Sequence, residues 1–243
     1  VLEPAHLILG GAFIGGLVSG LTGFGTGLVT LPIWLQAISP MLASPLVVIC
    51  SLAAHVQTLP GIWHAIDSRR IAPFIAGGAL GVPFGAWLLP HVSPGAAKLG
   101  LGVILVVLCG FLLLGTRRVH VRRGGRLADG LIGLGGGLLG GLAGLSGPLP
   151  TLWSGLRGWG KDEQRAVFQG FNVCVLVFAF VTQSVAGYMT AEVGWLVLNA
   201  LPGTLVGAWI GMRLYGRLDA ARFRRIVLAL LLLAGIAMIV TAR

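Results

Sequence analysis

The chain has 243 residues, 56% hydrophobic and only 10% charged, with a mean hydropathy of +0.94. A soluble domain of this size needs a far more polar surface, so the composition excludes one and indicates an integral membrane protein. The net charge of +10, from seventeen Lys and Arg against seven Asp and Glu, would point to nucleic acid in a soluble chain; here the basic residues lie almost entirely between apolar runs, where they set orientation.

The first segment, residues 5–36, contains GLVSGLTGFGTGLVTLP, with five glycines from Gly16 to Gly27. Three long apolar runs follow, at 41–63, 71–90 and 95–115, and then the basic stretch TRRVHVRRGGR at 116–126. A second glycine-rich segment, 127–156, contains GLLGGLAGLSGPLPTLW and is followed by runs at 166–188, 194–212 and 222–241. Each run has the roughly 20 apolar residues that a helix needs to cross a bilayer. The short alternating segments of an outer-membrane barrel are absent.

An offset of 121 residues aligns 15–31 with 136–152, with roughly half the positions identical, and GAW at 85–87 recurs at 207–209. The chain therefore reads as two repeats, 1–116 and 127–243, joined by a basic cytoplasmic linker at 117–126. Each glycine-rich segment is either one tilted span or a re-entrant hairpin, and charge decides between them. With two hairpins, fifteen of the seventeen basic residues fall on one side, leaving only Lys98 and Arg243 opposite. With two single spans, Arg157, Lys161, Arg165 and the five arginines from 213 to 225 cross over, and the split becomes nearly even. The positive-inside rule selects the hairpins and places both termini outside. A hairpin plus three spans is an odd number of crossings, so the second half enters the membrane upside down. The predicted fold is all-α and polytopic, with two inverted-topology repeats, an arrangement used for alternating access.

Non-helical backbone inside a bilayer survives only in protein or beside a watery cavity. Each break is expected near the midplane, with a half-helix starting near Gly27 and near Leu149. The first amide donors of a helix lack partners and carry the positive dipole end, and Pro148 suits a first helical position. Two such ends facing one pocket bind an anion without a buried cation. Thr22, Thr26 and Ser146 offer hydroxyls, while Gly23, Gly25, Gly144 and Gly147 let the backbone approach. The competing reading is plain small-residue helix packing through Gly16/Gly20 and Gly23/Gly27. Mirror-placed breaks in inverted halves favour a transport site.

These paired motifs, GLTGFGTG with its following proline and GLAGLSGPL, each opening half of the chain, resemble the TauE/SafE family of sulfite and organosulfonate exporters. The resemblance covers essentially the whole chain. It implies movement of a small sulfur oxyanion, sulfite or an organosulfonate, outward across a bacterial inner membrane. It adds Phe24 and Leu145, inside the motifs, to the substrate-binding candidates.

Ser51 and Asn172 are equivalent under the offset, and Gln169 lies one turn before Asn172 on the same face; they line the same cavity or else bond between helices. His55 is the one titratable side chain deep enough to carry a coupling proton, unless it serves a backbone carbonyl. No carboxylate is deep, which disfavours carboxylate-based coupling; a uniporter, an exchanger and a His55-coupled carrier stay open. Asp219 is expected to cap the helix after it. Cys50, Cys109 and Cys174 read as packing residues. No cofactor, metal or nucleic-acid partner is expected, and glycine-rich faces leave a homodimer open. A channel on the same scaffold is the near alternative. A membrane enzyme lacks a clustered triad or ligand set, and a complex subunit would be indifferent to changes in the hairpins.

Overall fold

The computed structural model describes residues 3–35, 37–88 and 125–242, with 95, 99, 100, 102, 103, 105–107 and 110 between the last two segments. All regular structure among them is helical. The elements are α1 (Glu3–Thr22), α2 (Thr26–Trp34), α3 (Pro40–Thr58) with a 3-10 extension (Leu59–Ala65), α4 (Ser68–Leu88), α5 (Gly125–Ala143), α6 (Pro148–Leu156), α7 (Lys161–Val185), α8 (Ala191–Tyr215) and α9 (Ala220–Val240). Five stretches are long and apolar enough to cross a membrane: Pro40–Ile62, Ser68–Leu88, Lys161–Val185, Ala191–Tyr215 and Ala221–Val240. They match five of the predicted runs to within about a turn. The run at 95–115 lies only partly within the described residues; those described are helical and pack on α9, Gly102 against Gly235 and Ile239. Lys98, Cys109 and linker residues 117–124 lie outside the described residues. Asp219 caps α9 as expected, accepting from the Arg222 N–H at 2.7 Å.

The glycine-rich segments are helical hairpins in their internal contacts. In the first, Gly15 faces Thr26 and Thr30, and Gly11 faces Ile33 and Trp34, so α2 runs back along α1. In the second, Gly140 faces Ser146 and Gly135 faces Leu149, so α6 runs back along α5. An indole closes each base: Trp34 Nε1 donates to the Ile8 carbonyl at 3.1 Å, and Trp153 Nε1 donates to Asp129 Oδ1 at 2.6 Å. Ile8 and Asp129 are equivalent positions under the 121-residue offset. Asp129 is buried, so Trp153→Phe leaves its carboxylate short of a donor. That change is expected to cost about 1–3 kcal/mol, read as a lower Tm of the protein in detergent.

Each hairpin packs mainly on a helix of the other half, α1 on α8 and α5 on α4. Glycine backbones form these seams. Along α1 and α8, Gly16 meets Thr204, Gly20 meets Ala208, Gly207 meets Phe13 and Gly211 meets Leu17; both numbers rise together, so the helices are parallel. Along α4 and α5, Gly77 meets Gly130, Gly81 meets Leu134 and Gly85 meets Leu138, again in parallel. Small residues of this kind allow the close approach that membrane helices rely on. The packing reading therefore holds for Gly16 and Gly20, whereas Gly23 sits in the break itself. α7 lies along α4 in parallel, with Gly170 at Ile71 and Gly78 at Phe171 and Val175, and against α3 in antiparallel, with Gln169 bonded to Thr58 and Gln183 to Ser44.

Candidate functional site

α1 and α5 end alike. The Gly23 N–H donates to the Ser19 carbonyl at 2.7 Å, and the Gly144 N–H to the Gly140 carbonyl at 2.8 Å. Gly23 has φ 82° and Gly144 φ 68°, a left-handed end that only glycine adopts freely. Helix resumes at Thr26 and at Pro148, where Gly25 and Gly147 in the cap positions provide no side-chain bond. First-turn amide donors therefore have no side-chain cap and no intrahelical partner. The two ends differ in supply: Thr26, Gly27 and Leu28 each carry an N–H, while Pro148 and Pro150 flank the single donor of Leu149.

The two breaks meet. Gly27 approaches Leu145 and the Gly144 carbonyl, and Gly147 approaches Phe24. Between them lies a narrow cavity of about 10 Å³, the room of roughly one water molecule, lined by Gly25, Thr26, Gly27 and Leu28 from the first hairpin, and by Gly144, Leu145, Ser146, Gly147 and Pro148 from the second. Ser51 and His55 of α3 and Asn172 and Leu176 of α7 complete it. The cavity thus joins ten of the fourteen residues singled out in the sequence. Its level on α7, between Asn172 and Leu176, is close to the middle of that helix.

The Ser146 hydroxyl donates to Asn172 Oδ1 at 2.9 Å, and the Asn172 amide nitrogen lies beside Gly147. Two lining groups, Thr26 Oγ1 and His55 Nδ1, are buried without a hydrogen-bond partner. Buried polar groups are rarely left so, and both belong to the cavity wall. The lining carries no Lys, Arg, Asp or Glu.

Thr22, Gly23, Phe24 and Gln169 stand behind the wall. Thr22 Oγ1 bonds the Val18 and Phe24 carbonyls, each at 2.8 Å, and holds the turn. Phe24 stacks edge-on against Phe168 with ring centroids 5.7 Å apart, and Gly23 packs on Phe168 and Arg165. Gln169 donates to Thr58 Oγ1 at 2.6 Å and to the His55 carbonyl at 3.3 Å. α1 is longer than the return limb, so its end passes the cavity by about a turn and reaches the level of Arg165 and Phe168.

Arg165 corrects the sequence reading, which counted it among the basic residues between the apolar runs. α7 begins at Lys161, and Arg165 is 0% exposed. Its Nη2 donates to the Gly20 carbonyl at 2.7 Å, its Nη1 to the Leu21 carbonyl at 3.2 Å and its Nε to Gln169 Oε1 at 3.2 Å. The guanidinium stacks on the Tyr215 ring at 4.0 Å, and the Tyr215 hydroxyl donates to Asp162. One signal was available: Arg165, Gln169 and Asn172 recur at helical spacing and share a face.

Away from the cavity, Gln183 is buried and donates to Ser44 Oγ at 3.1 Å. Asn199 serves its own helix through the Trp195 carbonyl, and Gln57 is exposed. Cys50 is buried and Cys174 half-buried, both as free thiols. Among the described residues no three His, Cys, Asp or Glu side chains group as a metal site.

The family described as Sulfite exporter TauE/SafE matches residues 7–238, nearly the whole chain. No curated protein and no solved structure matches it.

Proposed function

This chain belongs to the TauE/SafE family of sulfite exporters, and from that premise we propose that it moves a small sulfur oxyanion, sulfite or an organosulfonate, outward across a bacterial inner membrane by alternating access. Family membership and the apolar helices make it a multi-pass membrane protein. One observation carries the finer reading: two half-helix N-termini, at Thr26 and Pro148, open onto a single cavity near mid-helix that holds unpartnered polar groups and no acid. Amide donors and a positive dipole end suit an oxyanion.

The inverted-repeat reading is supported by the directions of the helices. α1 is parallel to α8, α5 to α4 and α4 to α7. α8 opposes α7, since Tyr215 at the end of α8 bonds Asp162 at the start of α7. It follows that α1 and α5 run oppositely and that the hairpins approach the cavity from opposite ends. In this proposal both termini are periplasmic, the basic segments face the cytoplasm and the two hairpins rock about the cavity. His55 is the proton carrier where movement is proton-linked. His55→Gln then abolishes accumulation driven by a pH gradient, while counterflow without a gradient persists at reduced affinity, since His55 also lines the cavity.

The test is saturable counterflow of radiolabelled sulfite or methanesulfonate in proteoliposomes. Single-channel currents without saturation overturn the carrier in favour of a pore. In a thermal-shift screen, an anion at a hundredfold excess over its Kd is expected to stabilise the protein by about 2.7 kcal/mol. A response to cations alone removes the anion reading.

A further inference from the structure

Every helix that ends beside an anion site brings a difficulty with it. α1 terminates at Thr22, immediately before the break, so its bare C-terminal carbonyls and the negative end of its dipole lie next to the cavity. An oxyanion there is attracted by the start of α2 and repelled by the end of α1. Arg165 sits on that end, donating to Gly20 and Leu21. The partners it bonds or stacks on are neutral: two carbonyls, the Gln169 amide and the Tyr215 ring. The acid three residues before it, Asp162, takes the Tyr215 hydroxyl. Asp162 is the opposite charge within its reach, one hydroxyl away through Tyr215, and a fully buried cation with no acid in direct contact is stabilised further by an anion that joins it.

The second hairpin shows what a neutral solution looks like. Gly141 and Leu142 are the equivalents of Gly20 and Leu21, and Ser44 is the equivalent of Arg165, at the same 121-residue offset. There the Ser44 hydroxyl reaches the Leu142 carbonyl at 3.5 Å and the Gln183 amide reaches the Gly141 carbonyl at 3.4 Å. Carbonyls at matching places are covered without charge, so bracing alone does not require an arginine.

We propose that Arg165 sets the preference for anions: it cancels the negative end of α1 and stands as the resident countercharge for the oxyanion in the cavity, acting from behind the first break. This deepens the oxyanion reading above and rests on it. Arg165 is a positioning residue, since Gly23 and Phe24 lie between it and the cavity wall. Its partners in the two unfilled bonds of the wall, Thr26 Oγ1 and His55 Nδ1, orient the anion, while Arg165 offsets its charge.

The experiment compares wild type with Arg165→Lys, Arg165→Gln and Gln169→Glu, measuring equilibrium binding of radiolabelled sulfite and methanesulfonate to purified protein at fixed ionic strength. Glutamine keeps a hydrogen-bond donor without the charge, and lysine keeps the charge with a different geometry. Gln169→Glu leaves the guanidinium in place and neutralises it with a carboxylate. Affinity is expected to fall by about tenfold or more in Arg165→Gln and Gln169→Glu, the scale of one charge acting through protein at an effective dielectric of about 20. Arg165→Lys is expected to stay within a few-fold of wild type. A purely structural brace fails in the lysine and glutamine variants alike, which overturns the proposal. So does wild-type affinity in Arg165→Gln or, should that variant not purify, in Gln169→Glu. Wild type that binds neither anion removes the parent reading and this one together, whereas wild-type binding with an indifferent Gln169→Glu removes the role of Arg165 alone.

Discussion

Gly144→Leu is expected to abolish anion flux in proteoliposomes while leaving a protein that inserts and purifies. Gly144 has φ 68°, a conformation that costs a side-chain-bearing residue about 1–2 kcal/mol. A Cβ there would lie 2.7 Å from Val47 Cγ1, and overpacking adds about 1–3 kcal/mol. The total is below the roughly 5–15 kcal/mol by which folded proteins commonly exceed their unfolded state, so the fold survives. The strain is relieved where the chain yields most easily, in the break, and that shifts the amides of Ser146 and Gly147 off the cavity they line. Gly23→Leu acts in the same way on the first hairpin, where a Cβ at φ 82° would meet Phe168 at 2.8 Å and Arg165 at 3.0 Å. Gly155→Leu, on the return limb of the second hairpin with nothing within 4 Å of its Cβ, is the matched control and retains flux. Full counterflow in both break variants would take the hairpins out of the mechanism.

Much of this site was readable beforehand because the repeat carries positional information. Ser51 and Asn172 share a place under the offset, and both line the cavity. The half-helix starts follow from glycine and proline chemistry and fall at Thr26 and Pro148, within a residue of expectation. Three things were not readable, each for a physical reason. The charge rule counts Arg165 with its loop because it sees only distance from an apolar run. Burial depends on α1 reaching past the cavity to present its carbonyls. Glycine spacing identifies a packing face without naming what lies against it, so the exchange of partners between halves, α1 with α8 and α5 with α4, appears only in three dimensions. Gln169 and Asn172 share a helix face, yet one turn of depth separates the cavity wall from the layer that braces His55 and Thr58.

That exchange of partners leads to the other large effect: Gly207→Val is expected to yield no folded protein. A Cβ at Gly207 would overlap the Phe13 carbonyl and crowd the Leu17 nitrogen at 2.7 Å, both backbone atoms of α1. A flexible side chain can move aside by rotating; a helix backbone moves only as a unit. Relief therefore separates α1 from α8 along their whole length, because Gly16, Gly20 and Gly211 sit equally close to the facing backbone. Once the seam opens, small residues give membrane helices no alternative packing, since lipid tails are as apolar as the partner helix. α1 also carries the carbonyls that hold Arg165, so opening it strands a buried cation and compounds the loss. Gly10→Val on α1, with nothing within 4 Å of its Cβ, separates this account from a general intolerance of α1 to valine and is expected to purify normally. The two are compared by size-exclusion elution and Tm in detergent. A monodisperse Gly207→Val protein with wild-type Tm would mean that the two helices do not meet along that seam, and the inverted arrangement would lose the contact from which the direction of α1 is inferred.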